Sequence, residues 1–177
     1  MFSPLHTDRL VLRSLTPADA ETIFRYRSDP EVSRYQGWEP VSAEEVRLFI
    51  ESLDQAAGYL PGKWHQVGIV LRETGELMGD CGFRVADTPQ AEIGITLARS
   101  FQGRGLASEA LRALLGHLFL ELGMHRVSGS VDPRNLASMA LLKRAGMRRE
   151  AHCVESYWSK GEWADDVLFA ILKREWI

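Results

Sequence analysis

The stretch that decides the fold is FQGRGLASEALRALLGHL, from Phe101 to Leu118. Two glycines flank Arg104, and a proline-free segment with helical spacing of leucines follows: Leu111, Leu114, Leu115, Leu118 and Leu122. A helix that begins in a glycine loop leaves its first N–H groups unpaired, with the positive end of the helix dipole behind them. Glycine also lets a phosphate approach the backbone closely. The stretch therefore indicates an anion site at the start of a helix that ends at Gly123.

Two common phosphate-binding motifs can be compared with this loop, and neither is complete. A P-loop needs Gly-Lys-Ser/Thr, which is absent. The dinucleotide fingerprint G-x-G-x-x-G is nearly present from Gly103 to Ser108, but its last glycine is replaced. The loop also follows predicted antiparallel strands instead of opening a βαβ unit. A purely structural role remains an alternative, since glycines can simply tighten a turn between a strand and a helix.

The rest of the chain predicts strands before and after this loop. Alternating or β-rich runs predict strands at Arg9–Leu15, Trp64–Leu71, Leu77–Val85, Ala91–Ala98, Arg126–Val131, Arg148–Tyr157 and Asp166–Leu172. Capping residues predict further helices after Thr16 and Ser42, and from Leu136 to Ala145. Ser28 to Pro40 is expected to be a loop with exposed aromatic residues. The order predicts one α+β domain over residues 1–177, with mixed α/β layers.

Composition excludes several classes of protein. The 177 residues carry a net charge of −3, with 45% hydrophobic and 25% charged residues, and lack the basic patch of a nucleic-acid binder. No run of 18 apolar residues or apolar leader segment occurs, so no membrane association is expected and a cytoplasmic location is predicted. Cys81 and Cys153 are expected to be reduced thiols. The five histidines show no metal-ligand spacing, so no metal is expected.

Four blocks of the chain resemble the GNAT superfamily of N-acetyltransferases. QGRGLA, Gln102 to Ala107, matches that family's Q/R-x-x-G-x-G/A signature, and AEIGITLARSF, Ala91 to Phe101, looks like its fourth strand. Asn135 to Met147 resembles its later pattern N-x-x-S followed by L-x-K-x-G-[FM]. The opening TDRLVLRSLTPADA and the ending GEWADDVLFAILKREW resemble the subgroup that acetylates N-terminal amines of ribosomal proteins. The resemblance implies a central, mostly antiparallel twisted sheet with helices on both faces.

The resemblance also implies acetyl-coenzyme A as the ligand of the glycine loop. It assigns the pyrophosphate to the backbone amides of Gln102, Gly103, Arg104, Gly105, Leu106 and Ala107. The pantetheine arm would lie along the strand edge formed by Ile95, Thr96 and Leu97, where its two amides could pair like an added strand. Asn135 and Ser138 would contact the arm from the following helix. Arg104 could also meet a phosphate by charge or simply be solvated.

Acetyl transfer to an amine needs a neutral amine, a donor for the developing oxyanion and a proton for the departing thiolate. Glu92 is the candidate base, acting directly or through water, because it alternates with Gly94 and Thr96 away from the apolar side of its strand. A solvated strand carboxylate is the alternative interpretation. Asp80, on the adjacent strand, is a weaker candidate.

The general acid that would protonate the thiolate must differ from that of many family members, which carry a tyrosine where this chain has Leu142. Ser138 is the substitute candidate, either hydrogen-bonded to the thiolate or relaying a proton through water. A serine in the first turn of a helix can instead satisfy its own backbone.

Aromatic residues are expected to wall the acceptor site. Tyr35 and Trp38 lie in the loop between the first two helices, and Tyr157 precedes the last hairpin. Such side chains can grip a peptide or a ring, or can be local core. The expected partner is an amine-bearing protein N-terminus or small molecule, and the chain could be a monomer or a homodimer.

These observations predict an acetyl-CoA-dependent N-acetyltransferase in which a bound primary amine attacks the thioester directly. Two alternatives belong to other classes. One is a non-catalytic acyl-CoA-binding sensor or interaction module, which Leu142 in place of tyrosine favours. The other is a dinucleotide-binding oxidoreductase, which the near-match to the dinucleotide fingerprint suggests.

Overall fold

A computed structural model of the protein describes residues 2–53 and 59–176. The strands are β1 (Leu5–His6), β2 (Leu10–Ser14), β3 (Trp64–Leu71), β4 (Leu77–Val85), β5 (Gln90–Leu97), β6 (Arg126–Val131), β7 (Arg148–Ser159) and β8 (Glu162–Leu172). The α-helices are α1 (Ala20–Arg27), α2 (Pro30–Ser33), α3 (Ala43–Ser52), α4 (Leu106–Gly116) and α5 (Leu136–Arg144). No helix among these residues is long and apolar enough to cross a membrane.

The strands form one eight-stranded sheet in the order β1-β2-β3-β4-β5-β6-β8-β7. Every neighbouring pair is antiparallel except β5 and β6, which run parallel. That parallel pairing covers only Gln90–Glu92 against Arg126–Ser128. The predicted mostly antiparallel sheet is confirmed, and its one parallel junction is also its shortest interior pairing.

Each face of the sheet is covered by helices with its own core. On one face, α1 and α3 bury Ile23, Tyr26, Val46 and Ile50 against strand residues that include Val70 and Leu77. On the other face, α4, the helical turn that follows it and α5 bury a larger set that includes Leu111, Leu114, Leu115, Leu118, Leu141 and Leu142. The leucine stripe identified in the sequence therefore faces the sheet, and the three-layer arrangement is confirmed.

Two local predictions need correction. Ser28 to Pro40 is not wholly a loop, because it contains the single-turn helix α2. The Asp29 carboxylate accepts a hydrogen bond from the Glu31 N–H at 3.0 Å, and Pro30 occupies the first helical position. The helix predicted to reach Leu122 changes type on the way, since α4 ends at Gly116 and continues as a π-helical turn from His117 to Glu121.

Alanine substitutions at Gly79 and at Gly116 should change the free energy of unfolding in opposite directions. A Cβ at Gly79 on β4 would collide with the Thr96 carbonyl oxygen on β5, whereas a Cβ at Gly116 in α4 meets nothing within 4 Å. We expect Gly79→Ala to lower the free energy of unfolding by roughly 1–3 kcal/mol through overpacking. We expect Gly116→Ala to raise it by roughly 0.5–1 kcal/mol through helix propensity. Urea unfolding of both variants checks this, and equal effects at the two sites would contradict the described strand contact.

Candidate active site

A cleft of about 600 Å³ opens between β5, the glycine loop, the start of α5 and the segment around α2. It gathers most of the residues predicted to bind a cofactor. These are Ile95, Thr96, Leu97, Gln102, Gly103, Gly105, Ala107, Asn135 and Ser138. Residues distant in the sequence therefore meet around one opening that is large enough for a small-molecule ligand.

One wall of the cleft is the edge of β5. Its pairing with β6 ends at Glu92 and Ser128, so Ile95 to Leu97 have no strand partner on the β6 side among the described residues. The Leu97 carbonyl oxygen instead accepts a hydrogen bond from the Gln102 side-chain amide at 3.0 Å. On the opposite side, the same residues pair regularly with β4. The exposed edge offers backbone N–H and C=O groups to an extended ligand that carries amides.

The end of the cleft is the glycine loop. Gly103 and Gly105 have φ values of +73° and +77°, a left-handed conformation that favours glycine. Within the described residues, no backbone N–H from Gly103 to Ser108 donates a hydrogen bond to a protein acceptor. Glu109 is the first residue of the helix whose N–H does, reaching the Gly105 carbonyl oxygen at 3.2 Å. Six consecutive free donors at the positive end of α4 form a cradle for an anion.

An ion pair between Arg9 and Glu109 stabilises the glycine loop, and it was not predicted from the sequence. The Glu109 carboxylate accepts hydrogen bonds from the Thr7 hydroxyl at 2.6 Å, the Arg9 N–H at 2.8 Å and Arg9 Nε at 2.7 Å. Arg9 also donates through Nη1 to the Arg104 carbonyl oxygen at 3.1 Å. Burial disfavours the charged carboxylate, but these hydrogen bonds outweigh it and lower the pKa of Glu109. An acid in the first turn of a helix was a visible signal, but its partner lies about 100 residues away.

The start of α5 faces the same cleft. The Asn135 side-chain oxygen accepts a hydrogen bond from the Ser138 N–H at 3.1 Å, so Asn135 caps the helix as predicted. Both side chains line the cleft. The Ser138 hydroxyl has no hydrogen-bond partner within the described part of the chain, which leaves it available to a ligand.

Three members of the predicted cofactor set differ from the rest. The Gln102 N–H donates to the Arg99 carbonyl oxygen at 3.2 Å, so this amide is not a free donor for the pyrophosphate. Leu106 has only 2% of its surface exposed and packs into the core beneath α4, so only its backbone can serve a ligand. The Arg104 guanidinium lies 5.7 Å from the centre of the Phe101 ring, and its side chain does not line the cleft. A direct charge contact from Arg104 to a phosphate stays a prediction.

A second cavity of about 400 Å³ adjoins the cleft on the α1–α3 side of the sheet. Gln36, Ile95 and Thr96 line both cavities. The Thr96 hydroxyl donates to the Gln36 side-chain oxygen at 3.0 Å, so this pair stands at the junction. Trp38, predicted to contact the acceptor, lines this second cavity. Gln36 was not identified from the sequence, because an isolated glutamine in a loop carries no pattern.

The other two aromatic candidates lie elsewhere. Tyr35 lines the first cleft instead of the second cavity, with the Arg34 and Arg134 guanidinium groups 5.3 and 5.9 Å from its ring centre. Tyr157 lies on β7 opposite Ala164, is 36% exposed and lines neither cavity. Its role in acceptor binding stays a prediction.

Asp80 is committed to a buried network and is unsuited to act as a base. It is 1% exposed and accepts hydrogen bonds from Arg27 Nη2 at 2.5 Å, from the Tyr26 hydroxyl and from the Gln66 side-chain amide. Burial and the neighbouring carboxylate raise the pKa of Tyr26 well above its usual value. Arg27 Nε also donates, at 3.2 Å, so four hydrogen bonds from three side chains saturate the carboxylate. Asp80 therefore anchors α1 to β4.

Glu92 lies on the predicted face of β5 but lines neither cavity. Its carboxylate forms an ion pair with Arg84 on β4, and one third of its side chain is exposed. Burial raises the pKa of Asp166 on β8, and the like charge of Glu92 adds to this effect. The sequence predicts Asp166 only as the first residue of a strand, because its interaction with the charge of Glu92 depends on how β5 and β8 are arranged in the sheet.

Comparison with known proteins decides the family. Residues 9–148 match the model described as the acetyltransferase (GNAT) domain. The chain belongs to the GNAT acetyltransferase family. This N-acetyltransferase is 34% identical over 175 residues to the uncharacterized N-acetyltransferase p20 of Bacillus licheniformis, with 97% of each chain covered.

Two further relatives extend the comparison. The chain is 28% identical over 182 residues to the ribosomal protein uS5-alanine N-acetyltransferase of Escherichia coli, covering 97% of this chain and 92% of that one. Its fold matches Mycobacterium smegmatis RimJ, solved in complex with CoA-disulfide, with a TM-score of 0.83 and 25% identity over 98% of this chain and 87% of that one. The predicted family, subgroup resemblance and fold class are confirmed.

The glycine loop can be tested with a closely matched control. Gly103 and Gly75 both have a φ of +73°, and a Cβ at either would meet nothing within 4 Å. Alanine at each position therefore carries the same backbone strain, roughly 1–2 kcal/mol. We expect only Gly103→Ala to weaken binding of coenzyme A, about tenfold or about 1.4 kcal/mol by titration calorimetry. Equal affinities of the two variants for coenzyme A would mean that the loop is only a turn.

Proposed function

We propose that this GNAT protein transfers an acetyl group from acetyl-coenzyme A to a primary amine by direct attack of the amine on the thioester. The observation that carries the proposal is the convergence of three features on one cleft. They are the free amides from Gly103 to Ser108, the unpaired edge at Ile95–Leu97, and the start of α5 at Asn135. An anionic carrier with an amide-containing arm fits these three features together.

The cofactor would be bound mainly by backbone groups. The amides of the glycine loop would hold the pyrophosphate, because they are unpaired donors at the positive end of a helix. The edge from Ile95 to Leu97 would pair with the pantetheine amides. The free hydroxyl of Ser138 and the side-chain amide of Asn135 line the cleft across from this edge. When bound, the cofactor supplies an acetyl thioester as the electrophile.

The second cavity supports an amine acceptor that reaches the thioester without an acyl-enzyme intermediate. It meets the first cleft at Ile95 and Thr96, so a ligand in each could bring the reacting atoms together. Neither cavity is lined by a cysteine or a histidine within the described residues. Cys81 is fully buried, and burial raises the pKa of its thiol far above the usual range, so it is not an acyl carrier.

Proton transfer is assigned to Glu92 and Ser138. Glu92 would accept the ammonium proton through water, since its carboxylate is partly exposed on the face of β5 that carries Gly94 and Thr96. The Ser138 hydroxyl would donate a hydrogen bond to the departing thiolate and stabilise its negative charge. The acceptor would be a protein N-terminal amine, as the name of the Escherichia coli relative indicates for that enzyme, or a small-molecule amine.

A non-catalytic sensor of acyl-coenzyme A is the weaker alternative. Leu142, which raised it, is 5% exposed and packs in the core with α4, so it carries no function in the cleft. A sensor would also have no use for a second cavity at the thioester end. The acceptor-sized cavity therefore favours catalysis.

The base assignment predicts a pH-dependent defect. An α-amine has a pKa of about 7.7–8, so below about pH 7 most of it is protonated and needs a base. We expect Glu92→Gln to lower kcat/KM at least tenfold near pH 6.5 and to approach the wild-type value above about pH 9, where the amine is already neutral. Thiol release measured from pH 6 to 9.5 checks the profile.

The control for this experiment is Arg84→Gln. It breaks the Arg84–Glu92 ion pair but leaves the carboxylate, so the low-pH activity should persist. If Arg84→Gln and Glu92→Gln lose activity equally, the ion pair matters only for structure. If neither changes the profile, Glu92 is not the base.

The hydroxyl assignment predicts a loss confined to chemistry. We expect Ser138→Ala to lower kcat at least tenfold with little change in coenzyme A affinity, because the hydroxyl would act mainly on charge that develops at sulfur. The Ser138 N–H would keep its bond to Asn135 in this variant, so the helix cap is preserved. A lower affinity with unchanged kcat would make Ser138 a binding residue only.

A further inference from the structure

The second cavity owes its depth to two glycines that face each other on the sheet. Gly82 on β4 is the register partner of Gly94 on β5, and both line the cavity. Their missing side chains leave a bare strip of backbone on the α1–α3 side of the sheet. A Cβ at Gly82 would collide with the Gln66 side chain, but a Cβ at Gly94 meets nothing within 4 Å. The open space above Gly94 is therefore a volume that a ligand can occupy.

Large aromatic rings surround this bare strip. Trp38, Phe49 and Trp64 line the cavity, and Trp64 keeps 40% of its surface exposed. The Trp38 and Phe49 rings lie 4.6 Å apart at 45°. Aromatic walls above a strip of peptide backbone form a site suited to a flat apolar group.

Trp38 is held rigidly in this wall. Its indole N–H donates to a Glu45 carboxylate oxygen at 3.1 Å, and the Arg27 guanidinium lies 5.0 Å from its ring centre. The indole N–H therefore has a hydrogen-bond acceptor within the protein. Rotation of the ring would break this hydrogen bond and the contact with Arg27. A preorganised wall loses little entropy when a ligand binds.

The polar groups of the cavity favour an uncharged ligand group. No aspartate or glutamate lines it among the described residues, and its one charged lining residue is Arg27. Arg27 is paired with the buried Asp80, so that carboxylate is already neutralised. The other polar side chains are Gln36, Gln66 and Thr96. A second ammonium group, as in a polyamine, would find no carboxylate here to replace its lost hydration.

We infer that the acceptor is a primary amine that carries an aromatic ring a few bonds from its nitrogen, with the ring seated over Gly94 between Trp38, Phe49 and Trp64. This inference rests on the proposed function and names its substrate class. The ring would fill the second cavity, and the amine would lie at the Gln36–Thr96 junction where the two cavities meet. The chemistry is shared by free arylalkylamines and by peptides with an aromatic first residue.

The first test is an acceptor panel with acetyl-coenzyme A and the full chain. It compares phenethylamine, a peptide amide with an N-terminal phenylalanine, a matched peptide with N-terminal alanine, and spermidine, by thiol release and mass analysis of the product. We expect kcat/KM for at least one aromatic acceptor to exceed that for the alanine peptide and for spermidine at least tenfold. The two aromatic arms distinguish a free amine from a peptide N-terminus.

The second test fills the pocket. Gly94→Ala and Gly94→Leu place increasing volume where the ring would sit, without positive φ or a steric contact at Cβ. We expect KM for the preferred aromatic acceptor to rise slightly with alanine and at least tenfold with leucine, while calorimetric affinity for coenzyme A stays within twofold. Gly116→Ala, at the end of α4 opposite to the glycine loop and lining neither cavity, should leave both quantities unchanged.

The outcomes of these tests distinguish failure of the proposed acetyl transfer from failure of the proposed aromatic acceptor. Failure of coenzyme A to bind, or absence of acetyl transfer to every amine, would overturn the proposed function itself. Transfer that favours spermidine or the alanine peptide would overturn only the aromatic acceptor. An aromatic acceptor whose KM is unaffected by Gly94→Leu, in a variant that still binds coenzyme A, would also overturn the assigned pocket.

Discussion

The short pairing between β5 and β6 is the constraint on which the rest of the site depends. Two parallel strands meet over Gln90–Glu92 and Arg126–Ser128, and beyond that point β5 continues without a strand partner on that side within the described part of the chain. An unpaired strand edge inside a sheet is unfavourable unless something satisfies its backbone groups. The opening that results is the cleft, and both α4 and α5 begin beside it. A regular parallel pairing here would close the cleft and leave the glycine loop without a ligand path.

The two faces of the sheet would also bind different ligands, the acyl carrier on one face and the acceptor on the other. The α4–α5 side supplies the large core and the free amides at the helix start, which suit an anionic carrier. The α1–α3 side supplies a smaller core and, beside it, the aromatic cavity over Gly82 and Gly94. Thr96 on β5 lines both cavities, because it lies where they meet. The strand is therefore the common wall along which a carrier and an acceptor would meet.

Much of this could be read from the sequence because it is local. The leucine stripe, the glycine loop and the Asn135 cap each follow from spacing within one helix or turn, and each lies where predicted. The network around Asp80 could not be read, because its donors come from α1 and β3, and only the register of the sheet brings them together. The aromatic cavity was missed for the same reason: the facing of Gly82 and Gly94 is a property of strand pairing. Residue roles in catalysis stay predictions, since side-chain type alone does not fix them.

The most direct measurement of the central claim is amide hydrogen exchange with and without coenzyme A. The amides from Gly103 to Ser108 have no acceptor among residues 2–53 and 59–176, so in the free protein they should exchange rapidly. The account predicts that saturating coenzyme A slows exchange at these amides and along Ile95–Leu97, while the exchange of amides in the exposed turn around Gly75 is unaffected. Binding of coenzyme A with no added protection at the loop would contradict the account.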